Sequence, residues 1–193
     1  MGSGLLRFDQ LTELQQVTVQ TALEAASRAY APYSKFPVGA AVATSDGVVA
    51  SGCNVENASY GLSMCAERVA VGNLYASCTS SWTARGRTDQ VRIVCVAVCA
   101  PRVRGVQGDS VGVCYPCGAC RQVLAEHAAP EAELVLVSLH TNTWEDVADA
   151  SASGAQRCRY LVSSLEALLP CSFRKEQLPI GDSKSVPPAP DNT

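Results

Sequence analysis

Val91-Arg92-Ile93-Val94-Cys95-Val96-Ala97-Val98-Cys99-Ala100 is the run that decides the fold. It is apolar almost throughout, so neither side of an extended chain here is suited to water. That pattern belongs to a strand in the middle of a sheet with helices on both faces. Upstream, residues 38–44 read as a strand, Ser45-Asp46-Gly47 as a tight turn and residues 48–53 as the returning strand. Asp-Gly between two apolar runs is a good hairpin signal. Residues 64–76 return to helical spacing, which puts Cys65 at a helix N-terminus. Downstream, Cys117 opens a helix to about His127, residues 133–139 read as a strand, and residues 159–162 as a last one. Ser163 or Ser164 then caps a short helix over 165–169.

The N-terminal part supplies one more helix. Asp9 or Thr12 caps it, and Leu11, Leu14, Val17, Ala22, Ala25 and Ala29 recur at helical spacing to about Tyr30. Pro32 and Pro37 then break the chain into a loop. Residues 79–90 and 101–112 are expected to be loops, while 140–157 shows no clear period, with Trp144 anchoring a short helical piece there. Strands and helices alternate after the hairpin, which predicts an α/β fold: a three-layer α/β/α sandwich on a mixed sheet of about five strands. Residues 1–180 are expected to form a single domain, followed by a proline-rich, disordered tail over 181–193.

Composition narrows the function. The 193 residues are 47% hydrophobic and 17% charged, with a net charge of −3, ordinary values for a globular protein. Nucleic-acid binding normally shows a basic footprint; none is visible, so a small substrate is favoured. No apolar run approaches the ~18 residues of a membrane span, and the N-terminus lacks a secretory signal pattern. Ten cysteines are present. Setting three aside for a metal leaves Cys53, Cys78, Cys95, Cys99, Cys114, Cys158 and Cys171, an odd number that argues against a disulfide framework. They are expected to be reduced, mostly core residues of a cytoplasmic protein.

The chemistry lies in Cys65-Ala66-Glu67 and Pro116-Cys117-Gly118-Ala119-Cys120. Zinc prefers four ligands in a tetrahedron and accepts thiolates well. A C-x-x-C pair plus Cys65 makes three ligands, and the open fourth position is the mark of a catalytic zinc carrying water. Glu67 follows Cys65 by two residues, within reach of that water. An acidic residue in a first helical turn is also favoured by the helix dipole alone, but its position beside a metal ligand weighs toward catalysis. Zinc with three thiolates bears one formal negative charge, so something should draw charge from the sulfurs. Two helix N-termini contribute, and Arg68 and Arg121 are each placed to reach a thiolate. Arg68 is favoured for that role; Arg121 is equally consistent with a surface group. The competing readings are a redox C-x-x-C and a structural zinc site with His127 or His140 as fourth ligand. The first leaves Cys65-Ala66-Glu67 unexplained, and in the second both histidines sit outside any spacing that groups them with Cys65.

Four motifs in order, Phe36-Pro37-Val38-Gly39-Ala40-Ala41, Cys53-Asn54-Val55-Glu56-Asn57-Ala58, Cys65-Ala66-Glu67-Arg68 and Pro116-Cys117-Gly118-Ala119-Cys120-Arg121-Gln122, resemble the cytidine deaminases of the all-cysteine, homotetrameric type. The resemblance spans about residues 11–178. It implies zinc-dependent hydrolysis of cytidine and deoxycytidine to the uridine counterparts in pyrimidine salvage, with one zinc per subunit. It makes Cys65, Cys117 and Cys120 the ligands and Glu67 the proton carrier. It implies that Asn54 and Glu56 hold the ribose 3′-hydroxyl, that Phe36 stacks on the base and that the Ala66 backbone holds the base carbonyl. It also implies that Phe173, and second Tyr60, reach a neighbouring subunit's site. Turn chemistry is the alternative for Asn54 and Asn57, and packing on its own core is the alternative for Phe173. An aminonucleoside-antibiotic deaminase shares the cysteine motifs, but Asn54-Val55-Glu56-Asn57 argues against it. A polynucleotide editor lacks support without a basic patch. A zinc-stabilised binding protein would not need Glu67. Fifty-one residues separate Cys65 from Cys117, more than the family usually has, which leaves subunit packing open.

Overall fold

Thr12 starts the first helix by a reciprocal cap: its hydroxyl accepts from the Gln15 N–H at 3.3 Å and its own N–H donates to the Gln15 side chain at 2.9 Å. The computed structural model describes residues 5–77, 92–101, 112–139, 152–174 and 177–178. Among these, the helices are α1 (Glu13–Ala26), α2 (Ala66–Ser77), α3 (Gly118–His127), α4 (Ala152–Arg157) and α5 (Leu165–Leu168). The strands are β1 (Gly39–Thr44), β2 (Val49–Cys53), β3 (Ile93–Ala100), β4 (Ala128–Ser138) and β5 (Arg159–Ser164). They form a five-stranded sheet in the order β2-β1-β3-β4-β5. β3 and β4 are parallel and the other neighbours antiparallel. The mixed sheet and the central place of β3 agree with the reading of the 91–100 run.

Period-two alternation sorts the sheet's side chains into two cores. Ala41, Ala43, Cys95, Ala97, Cys99, Val135 and Val137 face α1 and α4. Ala40, Val42, Val96, Val98, Leu134 and Leu136 face α2, α3 and α5. The three layers follow from that division. Gly47 takes φ 84° in the hairpin, the left-handed turn conformation that the Asp-Gly reading requires.

Two boundaries depart most from the sequence reading, and β5 runs past residue 162 to Ser164. α1 ends at Ala26 rather than near Tyr30, because the Tyr30 backbone is taken by the Asn54–Glu56 segment. Tyr30 N–H donates to the Asn54 carbonyl at 3.0 Å, and Glu56 N–H donates to the Tyr30 carbonyl at 2.8 Å. β4 begins at Ala128, five residues early, despite Pro130. The register shift between Ile93 and Cys95 absorbs the segment containing that proline. Cys95, Cys99 and Cys158 are buried as expected, whereas Cys171 is exposed. Cys78, Trp144, His140, residues 79–90, most of 101–112 and the 181–193 tail lie outside the described residues.

The placement of α2 matters most for function. A Cβ on Gly52 would lie 2.4 Å from the Ala70 nitrogen and 2.6 Å from the Ala66 oxygen. The first turns of α2 therefore rest directly on the β2 backbone, and only glycine permits it. The chain before α2 is held too. Val55 and Met64 exchange backbone hydrogen bonds of 3.0 and 2.9 Å, which brings Asn54 and Glu56 alongside Cys65.

Candidate active site

Three sulfurs meet where α2 and α3 begin. Cys65 immediately precedes α2, Cys117 is the N-cap of α3, and Cys120 lies in its first turn. Their Sγ atoms all lie within 4.8 Å of one another, with Cys65 and Cys117 at 3.9 Å. Tetrahedral zinc with Zn–S of about 2.3 Å sets neighbouring sulfurs roughly 3.8 Å apart, so the donors fit that ion. Among the described residues no other such group of potential metal ligands occurs. His127 is turned elsewhere: its Nδ1 lies 2.9 Å from the Tyr75 hydroxyl.

The electrostatics suit a soft cation. The Cys65 thiol is pulled down to about 5, first by its hydrogen bond with Cys120, with Arg68 and Cys117 adding to the effect. Cys120, the other half of that pair, is pushed up. A thiolate is thus available at neutral pH, the form a metal needs. Arg68 Nη2 donates to the Ser63 carbonyl at 3.1 Å and lies 3.9 Å from Cys65 Sγ. Its Nε is buried without a hydrogen-bond partner. Arg68 thus places a cation close to the Cys65 sulfur. Arg121 is held by two carbonyls: its Nε donates to the Pro116 carbonyl at 2.7 Å and its Nη1 to the Leu168 carbonyl at 2.8 Å.

Beside the sulfurs is a cavity of about 430 Å³, within the usual range for small-molecule sites. Ala66 and Glu67 are its buried end; Glu67 is only 5% exposed. Burial is the main cause that raises the Glu67 carboxyl above the ordinary range. Tyr33, Tyr60 and Tyr115, all exposed, form its rim. Asn54 and Glu56 line the wall between.

Both wall residues are braced by the backbone. Asn54 Oδ1 accepts from Val38 N–H at 2.8 Å, and its Nδ2 donates to the Phe36 carbonyl at 2.9 Å. Glu56 Oε2 accepts from the N–H groups of Tyr33 and Ser34 at 2.8 and 3.1 Å. Its hydrogen bond with the Ser34 side chain is the largest cause holding the carboxyl below its ordinary range. The turn-forming alternative for Asn54 is thus partly realised in the same side chain that lines the cavity. Asn57 follows the turn reading outright, its Oδ1 accepting from Ser59 N–H at 2.8 Å.

The three aromatic residues named from the sequence are placed as follows. Phe36 is half-buried and is not among the lining residues; Val38 is. The Asn54 clamp spans Pro37 and turns the Val38 end of the segment to the cavity. Tyr60 lines the cavity of its own chain, edge-on to Tyr33 at 5.9 Å between ring centroids. Phe173 is 57% exposed and does not line its own chain's cavity. Tyr33, Tyr115 and Cys114 were missed as lining residues. The signal available for the last two was their place directly before Pro116-Cys117.

A three-sulfur site at paired helix N-termini, a buried carboxylate beside it and an α/β/α frame define a zinc hydrolase of the deaminase class. Residues 12–136 match the family model for the cytidine and deoxycytidylate deaminase zinc-binding region. The chain belongs to that family. It is 39% identical over 141 residues to a cytidine deaminase of Halalkalibacterium halodurans, covering 73% of this chain and 92% of the relative. A cytidine deaminase of Sporosarcina psychrophila is 35% identical over 155 residues, covering 80% and 88%. The crystal structure of cytidine deaminase from Burkholderia pseudomallei superposes with a TM-score of 0.57 at 36% identity, covering 84% of this chain and all of that one.

Proposed function

We infer that this chain hydrolyses the 4-amino group of cytidine and deoxycytidine, releasing ammonia and the uridine counterpart. The observation that carries it is Glu67, a buried carboxyl two residues from a sulfur of the metal site and facing the same cavity. Cys65, Cys117 and Cys120 would hold one zinc per chain, which would supply Lewis-acid activation of water for attack on C4 of the base. Glu67, buried and facing the cavity, would take a proton from the attacking water, give it to N3 and then assist departure of the amine. Burial raises its protonation range, which favours the protonated form that must donate to N3. Ala66, at the buried end, is positioned for the base carbonyl.

The sugar contact follows from what Asn54 and Glu56 have left to offer. Asn54 has spent its oxygen on Val38 and one N–H on Phe36, leaving one amide hydrogen. Glu56, held ionised, is an acceptor with lone pairs beyond those taken by Tyr33 and Ser34. One hydroxyl group satisfies both, accepting from Asn54 and donating to Glu56. Free cytosine has no such hydroxyl and leaves the pair unmatched. CMP would bring a phosphate to a cavity whose lining, among the described residues, includes Glu56 and no Lys or Arg. Cytidine and deoxycytidine are therefore expected to exceed cytosine and CMP by at least ~10²-fold in kcat/KM, read from the ultraviolet change on deamination. Comparable efficiency on either poor substrate would refute the nucleoside reading.

We further propose a homotetramer acting in pyrimidine salvage in the cytoplasm. Support for assembly is exposed apolar surface: Tyr60 is 75%, Leu62 69% and Phe173 57% exposed. Such surface favours a partner, and a second copy's Phe173 would exclude water from the mouth of the cavity. Phe173→Ala should raise KM about tenfold with zinc retained, an effect of the size of one buried side chain. Light scattering and activity over one dilution series should fall together; a fully active monomer would defeat the assembly proposal. For the cellular setting, the described cysteines are unpaired. No helix of the described residues is long and apolar enough to cross a membrane.

A further inference from the structure

Cys117, Gly118 and Ala119 are all exposed. Packing therefore does little to hold the turn that carries the Cys117 ligand. Hydrogen bonds must do it instead. One is ordinary helix geometry, the Arg121 N–H donating to the Cys117 carbonyl at 3.0 Å. The others come from the Arg121 side chain. Its Nε donates to the Pro116 carbonyl at 2.7 Å, the peptide group that joins directly to Cys117. Its Nη1 donates to the Leu168 carbonyl at 2.8 Å, at the last residue of α5. Carbonyls at a helix C-terminus lack helical partners, and a guanidinium satisfies such a group with a charge-assisted bond. One rigid, planar fork thus ties the peptide before a metal ligand to the end of another element.

We propose that Arg121 is a positioning residue for the metal site: by clasping Pro116 to Leu168 it fixes Cys117 and slows loss of zinc. It touches neither substrate nor metal. Two geometric points make the role specific. Arg121 adjoins the buried ligand Cys120, so its backbone is anchored on the inner side of the site. Its side chain then returns to the outer ligand's peptide, closing a loop around the turn. Gln122, the next residue, offers a contrast, because it donates to the Phe173 carbonyl at 2.7 Å and leaves Pro116 alone. A lysine at position 121 carries the charge but lacks the fixed fork that spans two carbonyls.

The proposal rests on the zinc reading, and the test separates the two. Zinc-loaded full-length chain, Arg121→Ala, Arg121→Lys and Gln122→Ala would each be mixed with excess 4-(2-pyridylazo)resorcinol, and zinc release followed by absorbance. Arg121→Ala should release zinc at least ~10-fold faster, Arg121→Lys should fall between it and wild type, and Gln122→Ala should stay within about twofold of wild type. Cobalt-loaded Arg121→Ala should show altered sulfur-to-metal and d–d bands, and turnover should lose kcat with KM within about twofold. If Arg121→Ala does not fold, Arg121→Lys carries the same readings. Wild-type release rates and cobalt spectra in both Arg121 variants, even with lowered melting temperatures, would overturn the clasp as a metal-positioning device. A wild-type chain that binds no zinc would instead overturn the reading on which it rests.

Discussion

Glu67→Gln is expected to lower kcat by at least ~10²-fold while leaving zinc content unchanged. The amide keeps the size of the carboxylate and its hydrogen-bonding reach but cannot carry a proton. General acid–base catalysis contributes about 10² to 10⁴-fold for one transfer. The proposed route uses the same group to deprotonate water, protonate N3 and assist ammonia, so the loss should sit at or beyond the upper end. A folding defect is not expected to mimic this. Burial already works against the charged form of Glu67, so a neutral side chain of the same shape should leave the melting temperature equal or higher. Turnover within tenfold of wild type in a zinc-replete Glu67→Gln variant would remove Glu67 from the mechanism.

Removing one sulfur should be as costly for a different reason. Cys120 is fully buried, at 0% exposure, on the first turn of α3. Cys120→Ser replaces a soft thiolate with a hydroxyl that ionises far less readily, leaving two good ligands where three are needed. Zinc content should fall below about a tenth of wild type, and turnover with it. Stability should follow by mass action. Zinc at a thousandfold above its Kd adds about 4 kcal/mol to a chain that binds it only when folded. For a chain of this size that corresponds to roughly 8–16 °C in melting temperature. Chelation of the wild-type chain should reproduce the shift, and added zinc should reverse it. A Cys120→Ser variant that keeps stoichiometric zinc and full turnover would disprove the three-sulfur site.

The two predictions draw on residues that local sequence already groups, and that legibility has a physical basis. Cys117 and Cys120 are one helical turn apart, and Cys65 and Glu67 open another helix. Metal geometry demands short, definite spacings, so local sequence carries the information. The central strand was legible for a similar reason: apolarity on both alternating faces leaves few other places for residues 91–100.

What tertiary structure alone decided lies between segments far apart in the chain. Asn54 reads equally well as a turn former or a substrate contact. Only its bonds across 16 and 18 residues to Val38 and Phe36 show that it braces the wall it belongs to. Arg121 could have faced the sulfurs or the solvent; a carbonyl 47 residues away took it. Val38 rather than Phe36 lines the cavity, and Tyr115 joins Tyr33 and Tyr60 on the rim. Gly52 shows no signal in sequence, yet α2 and its ligand sit where they do because the helix backbone needs the space a side chain would fill. Ligand spacing is a local property of the backbone, and the sequence alone determined it. The direction of each side chain is set by whichever distant donor or acceptor satisfies it best, and that is settled only when the layers meet.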